Sequence, residues 1–256
     1  MTPHRARKRF GQHFLTDPGV IDAIIAAVAV RDDQAIVEIG PGQGAITKSL
    51  ASRAKVLHAI ELDRDLVAKL KRDYDHSRNV IIHEADALAF DFSALGDSLR
   101  IVGNLPYNIS TPLLFHLLEY RDHIIDMHFM LQKEVVDRMA APPGSKTYGR
   151  LSVMLGCRFS IEALFDVDRL AFEPPPAVTS AVVRLTPLPA ETYAINDEDK
   201  FSRVVAQAFS QRRKTIRNSL RSVADEALLE SVGIDPGLRP EAIAIADYVR
   251  LANTLE

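Results

Sequence analysis

Apolar positions along the chain recur in two rhythms, short compact blocks and longer stretches with helical three- and four-residue spacing. Asp17-Pro18 reads as an N-cap followed by proline at the first helical position, and Val20, Ile21, Ile24, Ile25 and Val28 then mark one face of a helix. The blocks Ala35 to Ile39, Val56 to Ile60, Val80 to His83, Arg100 to Val102 and Met127 to Leu131 predict strands. Between them, helices are expected over Ile46 to Arg53, over Leu62 to Tyr74 with Leu66, Val67 and Leu70 on one face, from Ser110 or Thr111 ahead of Pro112, and near Glu134 to Met139. Regular alternation of strand and helix implies an α/β fold with a mostly parallel sheet covered on both faces. Arg158 to Val167 and Ala181 to Leu185 have no long helix between them, so the sheet should end antiparallel. After Thr186, Pro187, Pro189 and a polar stretch through Asp199 form a linker, followed by helices over Phe201 to Phe209, Thr215 to Ser222, Ala224 to Val232 and Glu241 to Asn253. The expected organisation is therefore an α/β domain over residues 1–187 and a small α-helical domain over residues 188–256.

Composition narrows the class. With 47% apolar and 25% charged residues, the 256-residue chain has the make-up of a globular protein, not of a collagen-like, disordered or membrane chain. Cys157 stands alone, so neither an intrachain disulfide nor a thiolate zinc cluster can be built; this fits a reducing compartment, and a cytoplasmic location is expected. Ile101 to Leu118 carries no Asp, Glu, Lys or Arg, but Gly103, Asn104, Pro106, Asn108 and Pro112 would break a spanning helix. The Arg-rich start followed by Val20 to Val30 imitates a signal peptide, yet Asp22 interrupts the apolar run and an amphipathic helix is the better reading.

Net charge is only −3, which argues against binding polyanions by bulk charge. Its distribution alters that picture. Arg5, Arg7, Lys8 and Arg9 precede the first acid, and Phe201 to Ala224 holds Arg203, Arg212, Arg213, Lys214, Arg217 and Arg221 without any acid. Each run is either a solvated face or a contact for phosphates.

Candidate chemistry begins where the first strand runs into Gly40-Pro41-Gly42-Gln43-Gly44 and the second ends at Glu61. Glycine lets the backbone turn tightly and approach a ligand, and an acid about twenty residues on can accept hydrogen bonds from ribose hydroxyls. The spacing alone leaves NAD, FAD and S-adenosylmethionine open. Asn104-Leu105-Pro106-Tyr107 follows the fourth strand at the same sheet edge. Methylating an exocyclic aromatic amine requires its lone pair to be drawn out of ring delocalisation. The Asn104 amide oxygen and the Leu105 carbonyl can accept the amine N–H bonds, Pro106 fixes the backbone, and Tyr107 offers a face on which a base can stack. Eight histidines include no H-E-x-x-H pair, and neither a Walker loop nor a nucleophile elbow occurs, so no metal site and no familiar phosphoryl or acyl transfer is expected.

Phe10-Gly11-Gln12-His13-Phe14-Leu15, Val37 to Gly42, Asn104 to Thr111, Phe172-Glu173-Pro174-Pro175-Pro176 and Gln211 to Leu220 together resemble the KsgA type of small-subunit ribosomal RNA adenine N6,N6-dimethyltransferase, in order and over nearly the whole chain. The resemblance implies a Rossmann-like S-adenosylmethionine methyltransferase sheet. It also implies transfer of methyl groups to N6 of two adjacent adenosines near the 3′ end of small-subunit (16S) rRNA, in a nearly assembled subunit. His13, Leu15, Gly40, Glu61, Asp86 and Asn104 would serve the cofactor, with His13 in place of the asparagine often found there. Asn104, Leu105, Pro106 and Tyr107 would act on the target base, and Phe172 would stack on it from the face opposite Tyr107. Arg212, Arg213, Lys214 and Arg217 would meet RNA. The expected partner is the small ribosomal subunit and its rRNA, met by a monomer without membrane or metal. Two alternatives are a macrolide-resistance-type methyltransferase acting on large-subunit rRNA and an RNA-binding assembly factor without catalysis; Gly11-Gln12, the basic segment and the intact Asn104 to Tyr107 motif favour the first reading.

Overall fold

The computed structural model describes residues 12–211 and 213–255. Phe10, Gly11, the N-terminal bases Arg5, Arg7, Lys8 and Arg9, and Arg212 lie outside the described residues. The first compact unit comprises the described residues up to Val136 together with Glu162–Pro187. It contains β1 (Phe14–Leu15), α1 (Pro18–Val28), β2 (Ala35–Ile39), α2 (Thr47–Ala51), β3 (Val56–Glu61), α3 (Arg64–Asp73), β4 (Val80–Glu84), β5 (Leu99–Asn104), α4 (Ser110–Leu118) and β6 (Ile124–Gln132). α5 (Lys133–Met139) crosses the unit boundary, α6 (Arg150–Gly156) lies beyond it, and β7 (Phe159–Val167), β8 (Phe172–Glu173) and β9 (Ser180–Pro187) return the chain to the sheet.

Seven strands form one sheet in the order β4-β3-β2-β5-β6-β9-β7, and β1 pairs antiparallel with β8 in a separate two-stranded ribbon. Strands β4 through β6 run parallel, whereas β9 pairs antiparallel with β6, the ending expected from the missing crossover helix. Chain order reverses between β2 and β5, so their carboxyl ends flank the crevice where α/β sheets bind ligands. Helix α1 starts as its sequence dictates: the Asp17 carboxylate accepts from the Gly19 and Val20 N–H groups at 2.8 and 3.0 Å. Its buried Ile24, Ile25 and Val28 join Ile36, Val102, Met130, Val182, Leu15 and Phe172 in one core cluster. Each such side chain contributes roughly 1.5–3 kcal/mol by leaving water.

The second unit comprises Asp137–Ile161 and the described residues from Leu188 on. Grouping of Asp137–Ile161 with the helices differs from the expectation of one continuous domain over residues 1–187. Within this unit the Gly144 N–H donates to Glu241 O, and Arg158, 5% exposed, donates to Tyr193 O at 3.0 Å and pairs with Glu198. These bonds tie the insertion to the linker and helices. The remaining helices are α7 (Glu198–Ala208), α8 (Ile216–Leu220), α9 (Glu226–Ser231) and α10 (Ile245–Thr254). Phe201, Val205, Ile216, Leu220, Leu229, Tyr248 and Leu251 are fully buried. α8 is shorter than the helix expected over Thr215 to Ser222, and Thr215 takes its N-cap position in an extended conformation. Arg213 and Lys214 precede the helix, and Arg217 lies within it.

Candidate active site

The carboxyl ends of β2, β3 and β5 and the ribbon of β1 and β8 enclose a cavity of about 500 Å³. His13, Leu15, Gly40, Glu61, Asp86, Asn104, Leu105, Pro106, Tyr107 and Phe172, dispersed over 160 positions of sequence, all line it.

The glycine loop follows from backbone geometry. Gly40 adopts φ +66°, a left-handed conformation, and a Cβ there would lie 3.8 Å from Asn104 O; its N–H donates to Ile60 O at 2.9 Å. At Gly103 a Cβ would meet Ile39 O at 2.8 Å, so only glycine lets β5 lie this close to the end of β2. Backbone thus approaches backbone where β2 and β5 meet the cavity.

Glu61 ends β3 with its carboxylate held from behind. Oε1 accepts from the Leu62 and Asp63 N–H groups, each at 2.9 Å, and Oε2 accepts from Gly42 N–H at 3.2 Å. Burial raises its pKa, and these three bonds offset part of the rise by stabilising the anion. Asp86 lies on an exposed turn after β4, where Oδ1 accepts from Leu88 N–H at 2.9 Å.

Two functional candidates escaped the sequence reading. Glu38 is 1% exposed on β2, and neither carboxyl oxygen has a hydrogen-bond partner among the described residues. Thr47 approaches without reaching hydrogen-bond geometry and offsets only part of the effect of burial, which pushes Glu38 up to about 8 with a further push from Glu61. An acid inside a strand buried on both faces was the available signal, because such positions are otherwise apolar. Ser180 is the other: its hydroxyl bonds the Tyr107 hydroxyl at 2.8 Å from 73 residues away, a partnership no local pattern announces.

Asn104 terminates β5, and its Nδ2 donates to His13 O at 3.1 Å. That bond fixes which end of the amide is which and directs Oδ1 to act as acceptor. Leu105 N–H donates to Met130 O at 3.2 Å, Ile109 N–H donates to Pro106 O at 3.2 Å, and Ser110 Oγ donates to Tyr107 O at 3.1 Å, so the turn after the strand is locked residue by residue. Burial raises the Tyr107 pKa against the opposing effect of its Ser180 bond, keeping the phenol neutral. Phe172 is 3% exposed and is shared between the cavity wall and the core cluster. Among the described residues no group of three or more His, Cys, Asp or Glu is arranged to hold a metal ion.

Arg213 and Lys214 are exposed, and Arg217, also exposed, pairs with Glu226 at 2.8 Å. Ile216 and Leu220 are both fully buried and anchor the segment.

Sheet order, glycine loop and acid at the end of β3 define a Rossmann-like α/β methyltransferase fold. Residues 3–256 match the family described as ribosomal RNA adenine dimethylase. The chain is 56% identical over 255 residues to the ribosomal RNA small subunit methyltransferase A of Dechloromonas aromatica (strain RCB), covering 100% of both chains. It is 58% identical over 253 residues to the protein of the same name from Aromatoleum aromaticum, covering 99% of this chain and 95% of that one. Among solved structures it resembles a dimethyladenosine transferase from Plasmodium falciparum, with TM-score 0.79, 26% identity and coverage of 93% of this chain and 96% of that one. It also resembles the 23S rRNA methyltransferase ErmE, with TM-score 0.73, 27% identity and coverage of 94% and 99%. The chain belongs to the ribosomal RNA adenine dimethylase family.

Proposed function

We propose that this protein transfers methyl groups from S-adenosylmethionine to N6 of two adjacent adenosines near the 3′ end of small-subunit rRNA. The observation that carries the reading is the convergence, in one cavity, of a nucleoside-binding loop and an amide whose oxygen is turned to accept. Full-length relatives named for the small subunit favour that subunit over the large-subunit RNA of the ErmE likeness.

The cavity fits the cofactor. Gly40 and Gly42 leave room for a ligand against the backbone, Glu61 is preorganised to accept from ribose hydroxyls, and Asp86 can accept an adenine amino group through Oδ2. The unpartnered Glu38 carboxyl is suited to the ammonium end of the methionine moiety. When bound, S-adenosylmethionine supplies an electrophilic methyl group on a sulfonium. Asn104 Oδ1 and the Leu105 carbonyl accept N–H bonds from the adenine N6, so the nitrogen lone pair points at the incoming carbon instead of spreading into the ring. Tyr107 and Phe172 hold the base between them. Arg212, Arg213, Lys214 and Arg217 neutralise phosphates of the subunit RNA. The protein works as a monomer in the cytoplasm, where small subunits are assembled; among the described residues no helix is long and apolar enough to cross a membrane.

Incubation with radiolabelled S-adenosylmethionine and purified subunits lacking these modifications tests the proposal. Label should enter small-subunit RNA; label confined to large-subunit RNA supports an ErmE-like activity, and cofactor binding without any transfer supports a non-catalytic assembly role.

A further inference from the structure

His13 makes three contacts that a role toward the cofactor leaves unexplained. Its Nδ1 lies 2.7 Å from the Pro174 carbonyl oxygen, and a carbonyl cannot donate, so Nδ1 carries the proton and the ring orientation is fixed. The ring stacks on Tyr107 with centroids 5.9 Å apart and planes 30° from parallel. Its main-chain carbonyl receives the Asn104 amide. One residue thus links the β1 ribbon, the turn after Phe172-Glu173 and the loop that carries Asn104 and Tyr107.

Tyr107 needs such support. Its hydroxyl is tethered to Ser180, but a single bond at the end of the ring leaves rotation about the long axis of the side chain unrestrained. A flat neighbour on one face restrains that rotation and makes the two faces unequal. We infer that His13 is a positioning residue for the target base: its imidazole, anchored at Pro174, backs one face of Tyr107 and reserves the other as the platform on which adenine stacks. This rests on the adenine methyltransferase reading above.

Dimethylation makes the consequence readable. The same nitrogen must be presented twice, the second time carrying a methyl group, so a loosened platform slows the second transfer against release of the subunit and lets monomethylated product accumulate. A variant that merely lowers the folded fraction slows both steps together and leaves the ratio of mono- to dimethyladenosine at matched conversion unchanged. The main-chain bond to Asn104 survives any side-chain substitution, so only the ring and its bond to Pro174 are removed, and the choice of replacement separates the two.

The experiment compares wild type, His13→Ala, His13→Gln and His13→Phe on small subunits lacking the modification, reading kcat, subunit KM, cofactor Kd and the mono-to-dimethyl ratio. Stacking between aromatic rings predicts a kcat loss of roughly three- to tenfold for His13→Ala and His13→Gln. Both KM and Kd should stay within about threefold, and the monomethyl fraction should rise. His13→Phe, which keeps a ring and loses the donor, should recover most of the rate and the wild-type ratio. The inference is overturned if His13→Ala matches wild type, if His13→Gln recovers as well as His13→Phe, or if cofactor Kd rises in step with the lost rate. Wild-type inactivity on these subunits sinks the underlying activity and this role with it; wild-type activity with unaltered variants sinks this role alone.

Discussion

The cavity at the sheet edge and the basic segment around Arg213 to Arg217 were both legible as candidate sites, and they are built on opposite principles. In the cavity the groups assigned to chemistry are placed largely by backbone: Glu61 by three N–H groups, Asn104 by a main-chain carbonyl, and the Tyr107 turn by the Ile109 N–H and the Ser110 hydroxyl. Arg213 and Lys214 instead project from an exposed turn, and the segment is anchored away from their charges, by the buried Ile216 and Leu220 and by the Ile216 N–H bond to Leu238 O. Group transfer demands geometry fixed to fractions of an ångström, whereas attraction to phosphate demands charge within a screening length. Substitutions should therefore act steeply and specifically in the cavity but in small, additive steps on the basic segment.

The largest expected effect is at Asn104. Asn104→Ala should cut single-turnover methyl transfer by about a hundredfold or more while cofactor affinity stays within about tenfold, because the lost bonds matter chiefly in the transition state. Rapid-quench measurement with saturating cofactor checks this, and near-wild-type transfer removes the assigned role. Glu61→Gln comes next. It can still satisfy the Leu62 and Asp63 N–H groups but loses the charge offered to the ribose, so calorimetry should show S-adenosylmethionine affinity weakened by about 1.5–3 kcal/mol, with much of the rate restored at saturation.

Glu38 sharpens the contrast through pH. Its folded pKa of about 8 lies above its ordinary 4.5, so between these values the folded chain holds a proton that the unfolded chain has released. Stability contributed by this group is present below about 4.5 and is lost as pH rises toward 8. Glu38→Gln should flatten the decline in melting temperature over that window in the ligand-free protein; an unchanged profile would show that the carboxyl titrates normally.

The smallest effects belong to the basic segment. Each phosphate contact removed should reduce the logarithmic salt slope of subunit binding by roughly 0.7 to 0.9, without altering cofactor affinity. Arg217, already paired with Glu226, should contribute less than Arg213 or Lys214, a ranking that filter-binding at several salt concentrations will read. Equal slopes for wild type and the combined alanine variant would return the segment to a solvated face.

Strands and their order of appearance could be read because parallel strands buried on both faces leave compact apolar blocks, as in Ala35 to Ile39 and Val56 to Ile60. The Asn104 to Tyr107 turn was readable because its residue types are rare in combination. Less accessible was whatever depends on distant partners: the β1 and β8 ribbon is two residues per strand, and helix α6 is a single short element after Pro142-Pro143-Gly144. α8 is shorter than its expected Thr215 to Ser222 span at both ends: Thr215 is extended ahead of Ile216, and the helix stops at Leu220, whose carbonyl accepts from the Val223 and Ala224 N–H groups. Glu38 stands in the Val37 to Gly42 segment as an acid among apolar strand residues, but its lack of a partner is a property of the folded state.

Nucleoside analysis of the product tests the central claim most directly. Small subunits lacking the modification, incubated with this protein and S-adenosylmethionine and then mapped by nuclease digestion and mass spectrometry, should yield N6,N6-dimethyladenosine at two adjacent positions near the 3′ end of the small-subunit rRNA. Methylation of another base, of another atom of adenine, or of large-subunit RNA alone would contradict the account.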